Sequence, residues 1–140
     1  MQISRKTIYA VKGLVYISAH KDKGLCTITE VAEHENVPRE FLAKILKELN
    51  NKGFVQSFKG VKGGYKLAKP RNEISFWDIL TALQGPFASE GEFDVKNSKG
   101  VYGGAIHAFW LDFDKLFTEK LAGMTLDKID YNKFYPPDKS

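Results

Sequence analysis

One cysteine, Cys26, stands in a chain of 140 residues. That scarcity excludes an intrachain disulfide framework and any multi-thiolate metal site. Long apolar runs are missing too. The longest, such as residues 108–111, fall far short of the ~20 residues that span a bilayer, so no membrane association is expected. Residues 1–6 are basic but lead into an amphipathic pattern, not the apolar stretch of a signal peptide, and the expected location is the cytoplasm. The three histidines, His20, His34 and His107, fall on separate predicted elements with no nucleophile–base pair beside them. The glycine cluster Gly60–Gly64 lies between predicted strands, whereas a phosphate-binding loop precedes a helix. Catalysis is not expected.

What is present suits one ordinary folded domain, or a small domain with an appendage: 43% hydrophobic, 27% charged and 13% aromatic residues. The net charge of +4 hides a split. Residues 1–71 carry fourteen Lys and Arg against six Asp and Glu, a balance of +8; residues 72–140 carry seven against eleven, a balance of −4. A basic half joined to an acidic half points to a polyanion-facing module and a separate element for assembly or sensing.

In the basic half, Ser4 is placed to cap a helix with the apolar stripe Ile8, Val11 and Val15, flanked by Leu14 and Ile17; it should run to about residues 20–22 and end at Gly24. A short extended piece over 25–28 follows, and Thr29 with Glu30 opens a second helix. The next spacing is that of a helix-turn-helix. Ala32 is the small residue at the helix contact, Asn36 takes the left-handed turn position, and Leu42, Ile45 and Leu46 face back from the next helix. Pro38 fits that helix's first turn, whereas Glu35 stands where an apolar residue is usual. Residues 54–58 and 65–68 then read as two strands around a Lys- and Gly-rich turn, a hairpin wing directly after a candidate recognition helix. Its glycines allow close approach to a phosphate backbone, and its lysines neutralise phosphates.

Tyr9-Ala10-Val11, Pro38-Arg39-Glu40-Phe41-Leu42 and Gly60-Val61-Lys62-Gly63-Gly64-Tyr65-Lys66-Leu67 together resemble the Rrf-two family of bacterial winged-helix regulators over about residues 1–130. The Gly-Gly-Tyr-x-Leu wing is the most specific piece. The resemblance implies a mainly α fold with a small β-hairpin wing. It divides the chain into a winged helix-turn-helix DNA-binding domain at 1–71, an effector loop with dimerisation helices at 72–130, and a tail at 131–140. It implies a homodimer on a dyad-symmetric operator in double-stranded DNA. By position, Arg39, Glu40, Phe41, Ala43 and Lys44 form the exposed start of the recognition helix, and Lys59, Lys62 and Tyr65 belong to the wing. Arg39 and Lys44 suit guanine edges or phosphates, Glu40 a cytosine amine or the orientation of Arg39, and Phe41 a thymine methyl or support of the helix.

In the acidic half, Ser75 and Asp78 form a capping-box pattern for a helix stopped by Gly85-Pro86. Residues 86–103 lack periodicity. Helical spacing resumes over about 105–121, roughly 25 Å of helix, with the aromatic stripe Ile106, Phe109, Trp110, Phe113, Leu116 and Phe117 expected to form the dimer contact. Residues 125–129 suggest a last short helix. In the family's cluster-binding branch the loop before the long helix carries three cysteines. This loop has none, and Gly104 stands where the last would fall, so no iron–sulfur cofactor and no other metal is expected. His107 stands where the family often has a histidine ligand; with Phe93, Tyr102 and Trp110 it suggests an aromatic pocket for a small-molecule effector. Cys26 invites a redox-switch reading, against which its neighbours Leu25 and Ile28 argue for burial. The competing function is a winged-helix interaction module that works through a partner protein with weak or lost DNA binding.

Overall fold

The computed structural model describes residues 3–85 and 105–134. The elements run α1 (Arg5–Ala19), α2 (Ile28–Glu35), α3 (Arg39–Asn51), β1 (Val55–Phe58), β2 (Gly64–Leu67), α4 (Phe76–Gln84), α5 (Ala105–Ala122) and α6 (Tyr131–Phe134). Short 3-10 turns stand at Lys21–Lys23, Arg71–Glu73 and Leu126–Lys128. The expected fold class holds: a mainly helical body with a two-stranded antiparallel hairpin. Residues 86–104, including Phe93 and Tyr102 of the expected effector pocket, lie outside the described residues, as do the side chains of Ile106, His107 and Trp110.

The local signals act where chemistry places them. The Ser4 side chain accepts from Thr7 N, and Ser75 forms a full capping box with Asp78. Asn36 takes the left-handed conformation, φ 54° and ψ 51°, at the end of α2. Other boundaries move. α2 begins earlier than expected because Thr27, not Thr29, is its cap: its hydroxyl accepts from Glu30 N while the Glu30 carboxylate accepts from Thr27 N. Pro38 sits one place before α3 rather than inside its first turn. α1 stops at Ala19, and the chain finishes the turn as a 3-10 helix before Gly24. On α1 the buried face is Thr7, Ala10, Gly13, Leu14 and Ile17, while Ile8 is exposed and Val11 and Val15 are half-buried.

α1 packs against α2, α3, α4 and β2, so it is the central strut of the molecule. The core joins Ala10, Leu14 and Ile17 of α1 to Val31 and Ala32 of α2 and to Leu42, Ile45, Leu46 and Leu49 of α3. Each fully buried leucine removes enough apolar surface from water to contribute about 1.5–3 kcal/mol. At the edge of β2 away from β1, Cys26 forms an isolated antiparallel bridge. Its N–H donates to Tyr65 O at 2.9 Å, and Tyr65 N–H donates to Cys26 O at 2.8 Å.

Glu35, the misfit of the helix-turn-helix pattern, is 3% exposed. Tyr131 Oη, from the first residue of α6, donates to Glu35 Oε1 at 3.2 Å and lies 2.9 Å from His34 Nδ1. The same ring meets those of Tyr16 and His20 edge-on. The stretch expected to be tail therefore opens with a helical turn whose tyrosine reaches back to α1 and α2.

At the entrance to α2, burial alone would raise the Glu30 carboxyl pKa. The hydrogen bonds from Lys23, Thr27 N–H and the Tyr16 hydroxyl outweigh burial and hold it below the usual carboxylate value. A depressed folded-state pKa contributes stability above the unfolded-state pKa and loses it as pH falls through the folded one. Stability should therefore decline in acid below the ordinary glutamate range, and Glu30→Gln should flatten part of that slope in denaturant titrations across pH.

Candidate nucleic-acid interface

α3 is amphipathic. Leu42, Ile45, Leu46 and Leu49 are buried, while Arg39, Glu40, Phe41, Lys44 and Lys47 are exposed. Of the residues expected at its exposed start, only Ala43 is half-buried. The helix is held at two points on its outer side. Arg39 Nε donates to Thr29 Oγ1 of α2 at 3.2 Å, an arrangement that orients the guanidinium and leaves its terminal nitrogens for another acceptor. Glu48 pairs with Lys6 of α1 at 2.6 Å. Phe41 packs edge-on against Tyr9 of α1 with ring centroids 5.6 Å apart, so it supports the helix while remaining partly open to solvent. Sequence reasoning missed Lys47, Tyr9 and the Lys6–Glu48 pair. The three-residue step from Lys44 was a usable signal for Lys47, whereas the others depend on how α1 crosses α3.

The hairpin pairs Val55 with Leu67, Gln56 with Lys66, Ser57 with Tyr65 and Phe58 with Gly64. Its turn exposes Lys59, Gly60, Val61 and Lys62. Gly63 is where the turn folds tightly back, its N–H donating to Gly60 O at 2.9 Å. Lys66 Nζ lies 4.9 Å over the Phe58 ring, which occupies that cation on the side of the hairpin. Tyr65 is half-buried and its backbone is tied to Cys26, which makes it the least available of the expected contacts. β1 packs on α3, so the wing is braced directly against the helix it follows. Two exposed cationic surfaces, one helical and one a tight glycine-rich turn, thus stand on neighbouring elements, an arrangement suited to a duplex with its groove edges and phosphates.

On α5, Phe109 is 65% and Leu116 67% exposed, with Leu111 and Phe113 also open and Phe117 half-buried. Leu111 was not on the expected stripe. α5 packs on α4, and Leu121 near its end is buried. The helix is therefore anchored at one side and carries large apolar side chains at its surface.

Cys26 is fully buried. Burial first, and then the nearby Glu30 charge, push its thiol up to about 11. Folded protein should be inert to a thiol reagent at neutral pH and react once denatured; rapid labelling of the folded form would restore the redox-switch reading.

Iron–sulfur clusters are held chiefly by thiolates. The sole thiol is the buried Cys26, whose backbone is locked in the sheet. Among the described residues no group of three or more His, Cys, Asp or Glu is arranged to hold a metal. The residues do not fit a cysteine-ligated cluster. No helix among the described residues is long and apolar enough to cross a membrane.

The comparisons with known proteins point one way. A putative helix-turn-helix-type transcriptional regulator of Synechocystis is 30% identical over 94% of this chain and 89% of its own length. The transcriptional regulator IscR of Pectobacterium carotovorum is 27% identical over 95% of this chain and 81% of its own. The structure of CymR, the global cysteine regulator of Bacillus subtilis, is 22% identical, superposes with a TM-score of 0.74 and covers 91% of this chain and 94% of its own, a likeness of fold. The Rrf2 (Rrf-two) family profile, described as "Iron-dependent Transcriptional regulator", matches residues 3–131. With its helix-turn-helix, its braced basic wing and a family match that runs almost end to end, the chain belongs to the Rrf2 family of transcriptional regulators.

Proposed function

We propose that the protein acts as a homodimer on a dyad-symmetric operator in double-stranded DNA, with α3 in the major groove and the wing on the adjacent minor groove or backbone. The observation that carries this reading is the exposed row Arg39, Glu40, Lys44 and Lys47 on α3 beside the exposed Lys59 and Lys62 of a wing packed against that helix. In this reading the terminal nitrogens of Arg39 reach base edges or phosphate, and Glu40 accepts from a cytosine amine. Phe41 meets a thymine methyl from its perch on Tyr9, and the lysines neutralise phosphates. The signal is a small molecule or a partner protein rather than an iron–sulfur cluster. The loop pocket of Phe93, Tyr102 and His107 is one proposed place for it.

The dimer contact belongs to α5, through Phe109, Phe113 and Leu116 with Ile106, Trp110 and Phe117 on the same stripe; covering the part of each side chain still open to water recovers a share of the about 1.5–3 kcal/mol that full burial contributes. Sedimentation of the purified protein should give a dimer. Leu116→Asp should shift it to monomer and weaken operator binding in a gel-shift assay, because one half-site contacts only half the phosphates. A wild-type monomer, or a protein that binds no duplex at low ionic strength, would refute the proposal.

A further inference from the structure

Between the end of α1, the turn Arg71–Glu73 and the turn Leu126–Lys128 lies a partly open cavity of about 360 Å³. A wider cleft of about 820 Å³, which reaches the base of the wing at Lys66 and Lys69, shares Arg71 and Asp127 with it. Neither belongs to the DNA-facing residues described above. Three features of the smaller cavity need explaining.

Ser18 lines it at 3% exposure, and its hydroxyl makes no hydrogen bond to the described residues. A buried hydroxyl without a partner is costly, and native structures generally supply one. Arg71 also lines it and makes no ion pair or hydrogen bond with the described residues, although Asp127 and Asp130 stand on the same walls. Those carboxylates are each only half used. Asp127 Oδ1 accepts from the Thr125 hydroxyl and Asp130 Oδ1 from Lys133 N, which leaves one oxygen of each for a further donor. Lys128 Nζ donates to Gly123 O at 2.8 Å, which aims that ammonium at the backbone while it keeps its charge and two further donors. The rest of the wall is the apolar Val15, Ala19, Leu126 and Ile129 together with Tyr131, whose hydroxyl donates to Glu35.

A guanidinium and two carboxylates that share a cavity without pairing present both signs to whatever enters. An inorganic anion would answer Arg71 and be repelled by the aspartates; a simple cation would do the reverse. We propose that this cavity binds a free α-amino acid. Its carboxylate sits on Arg71 and takes the Ser18 hydroxyl as a further donor, its ammonium faces Asp127 and Asp130, and an aliphatic side chain lies on the apolar wall. Arg suits the carboxylate because its planar fork matches two oxygens at once. Such a ligand would join α1, which packs against α3, to the segment that follows α5. A regulatory meaning for it rests on the proposed DNA binding; the occupancy itself does not.

Calorimetric titration of the full chain with each of the twenty standard α-amino acids tests this. At least one should bind. Its N-acetylated form, which lacks the ammonium, should bind roughly tenfold or more weakly, and so should the amino acid to Arg71→Gln. Ser18→Ala, a nearly isosteric change, should weaken binding severalfold. No binding by any of the twenty at millimolar concentration to folded protein overturns the proposal. Equal binding of the acetylated form, or binding unchanged in both variants, overturns it as well. Operator binding measured in parallel keeps the two ideas separate: a protein that takes the amino acid but ignores DNA refutes only the operator proposal.

Discussion

Raising the salt from about 50 to 200 mM is expected to weaken operator binding about a thousandfold or more. The chain exposes Arg39, Lys44, Lys47, Lys59 and Lys62 on α3 and the wing turn. In the proposed dimer two copies would bring enough cations for roughly six to ten phosphates, and every phosphate neutralised releases condensed counterions whose return is favoured by added salt. The wing lysines should account for a defined part of the slope. Lys59→Ala with Lys62→Ala removes about four phosphate contacts per dimer, so the slope of log affinity against log salt should become shallower by about 3–4 and affinity should fall on all DNA sequences alike. Fluorescence anisotropy across a salt series reads both numbers. Association that hardly changes with salt would instead favour the interaction-module reading, because an aromatic interface depends little on ionic strength.

Gly63→Ala is expected to disrupt the wing while leaving the helical body folded. A Cβ at this position would lie 2.3 Å from Phe58 O and 2.9 Å from Gly60 O, both backbone atoms that cannot rotate away. Relief requires opening the turn that the Gly63 N–H bond to Gly60 O closes. Local strain of this kind costs about 1–3 kcal/mol. Thermal unfolding should show a modest loss of stability, and far-ultraviolet circular dichroism should retain its helical signal. Operator affinity should drop roughly tenfold or more as Lys59 and Lys62 lose their fixed positions. Gly85→Ala is the control. Its φ of +80° carries strain, but nothing lies within 4 Å of the added Cβ, so it should cost about 1 kcal/mol without touching the wing. Equal DNA affinity in Gly63→Ala and wild type would show that the hairpin turn is not part of the interface.

Much of the site was legible from residue order because its determinants are local. A cap needs only a hydroxyl and a free N–H three residues on, as Ser4 and Ser75 have. A left-handed turn needs a residue that tolerates it, as Asn36 does. A tight hairpin needs glycine between two strand patterns, and 3.6-residue spacing separates the buried face of α3 from its exposed Arg39, Glu40, Phe41 and Lys44. Placing the start of α2 at Thr29 passed over a signal that was present: Glu30 lies three residues after Thr27, the capping-box spacing, and bonds back to it. α1 is a different case. Its apolar residues surround more than one face, and the crossing of α3 buried Ala10 and Leu14 while leaving Ile8 outside.

By itself the sequence determined the helix-turn-helix, the cationic hairpin, the absence of a thiolate set for a cluster and the division into basic and acidic halves. These follow from composition and from contacts within a few residues along the chain. Only the tertiary structure decided that Glu35 is buried beneath Tyr131, that Cys26 becomes a sheet residue opposite Tyr65, that Arg39 is tethered to Thr29, and that Ser18, Arg71 and Asp127 meet around one cavity. Each of these pairs residues from distant or separately folded segments, and no local preference encodes which segments will meet. That depends on how the helices pack, and packing is a property of the whole core at once.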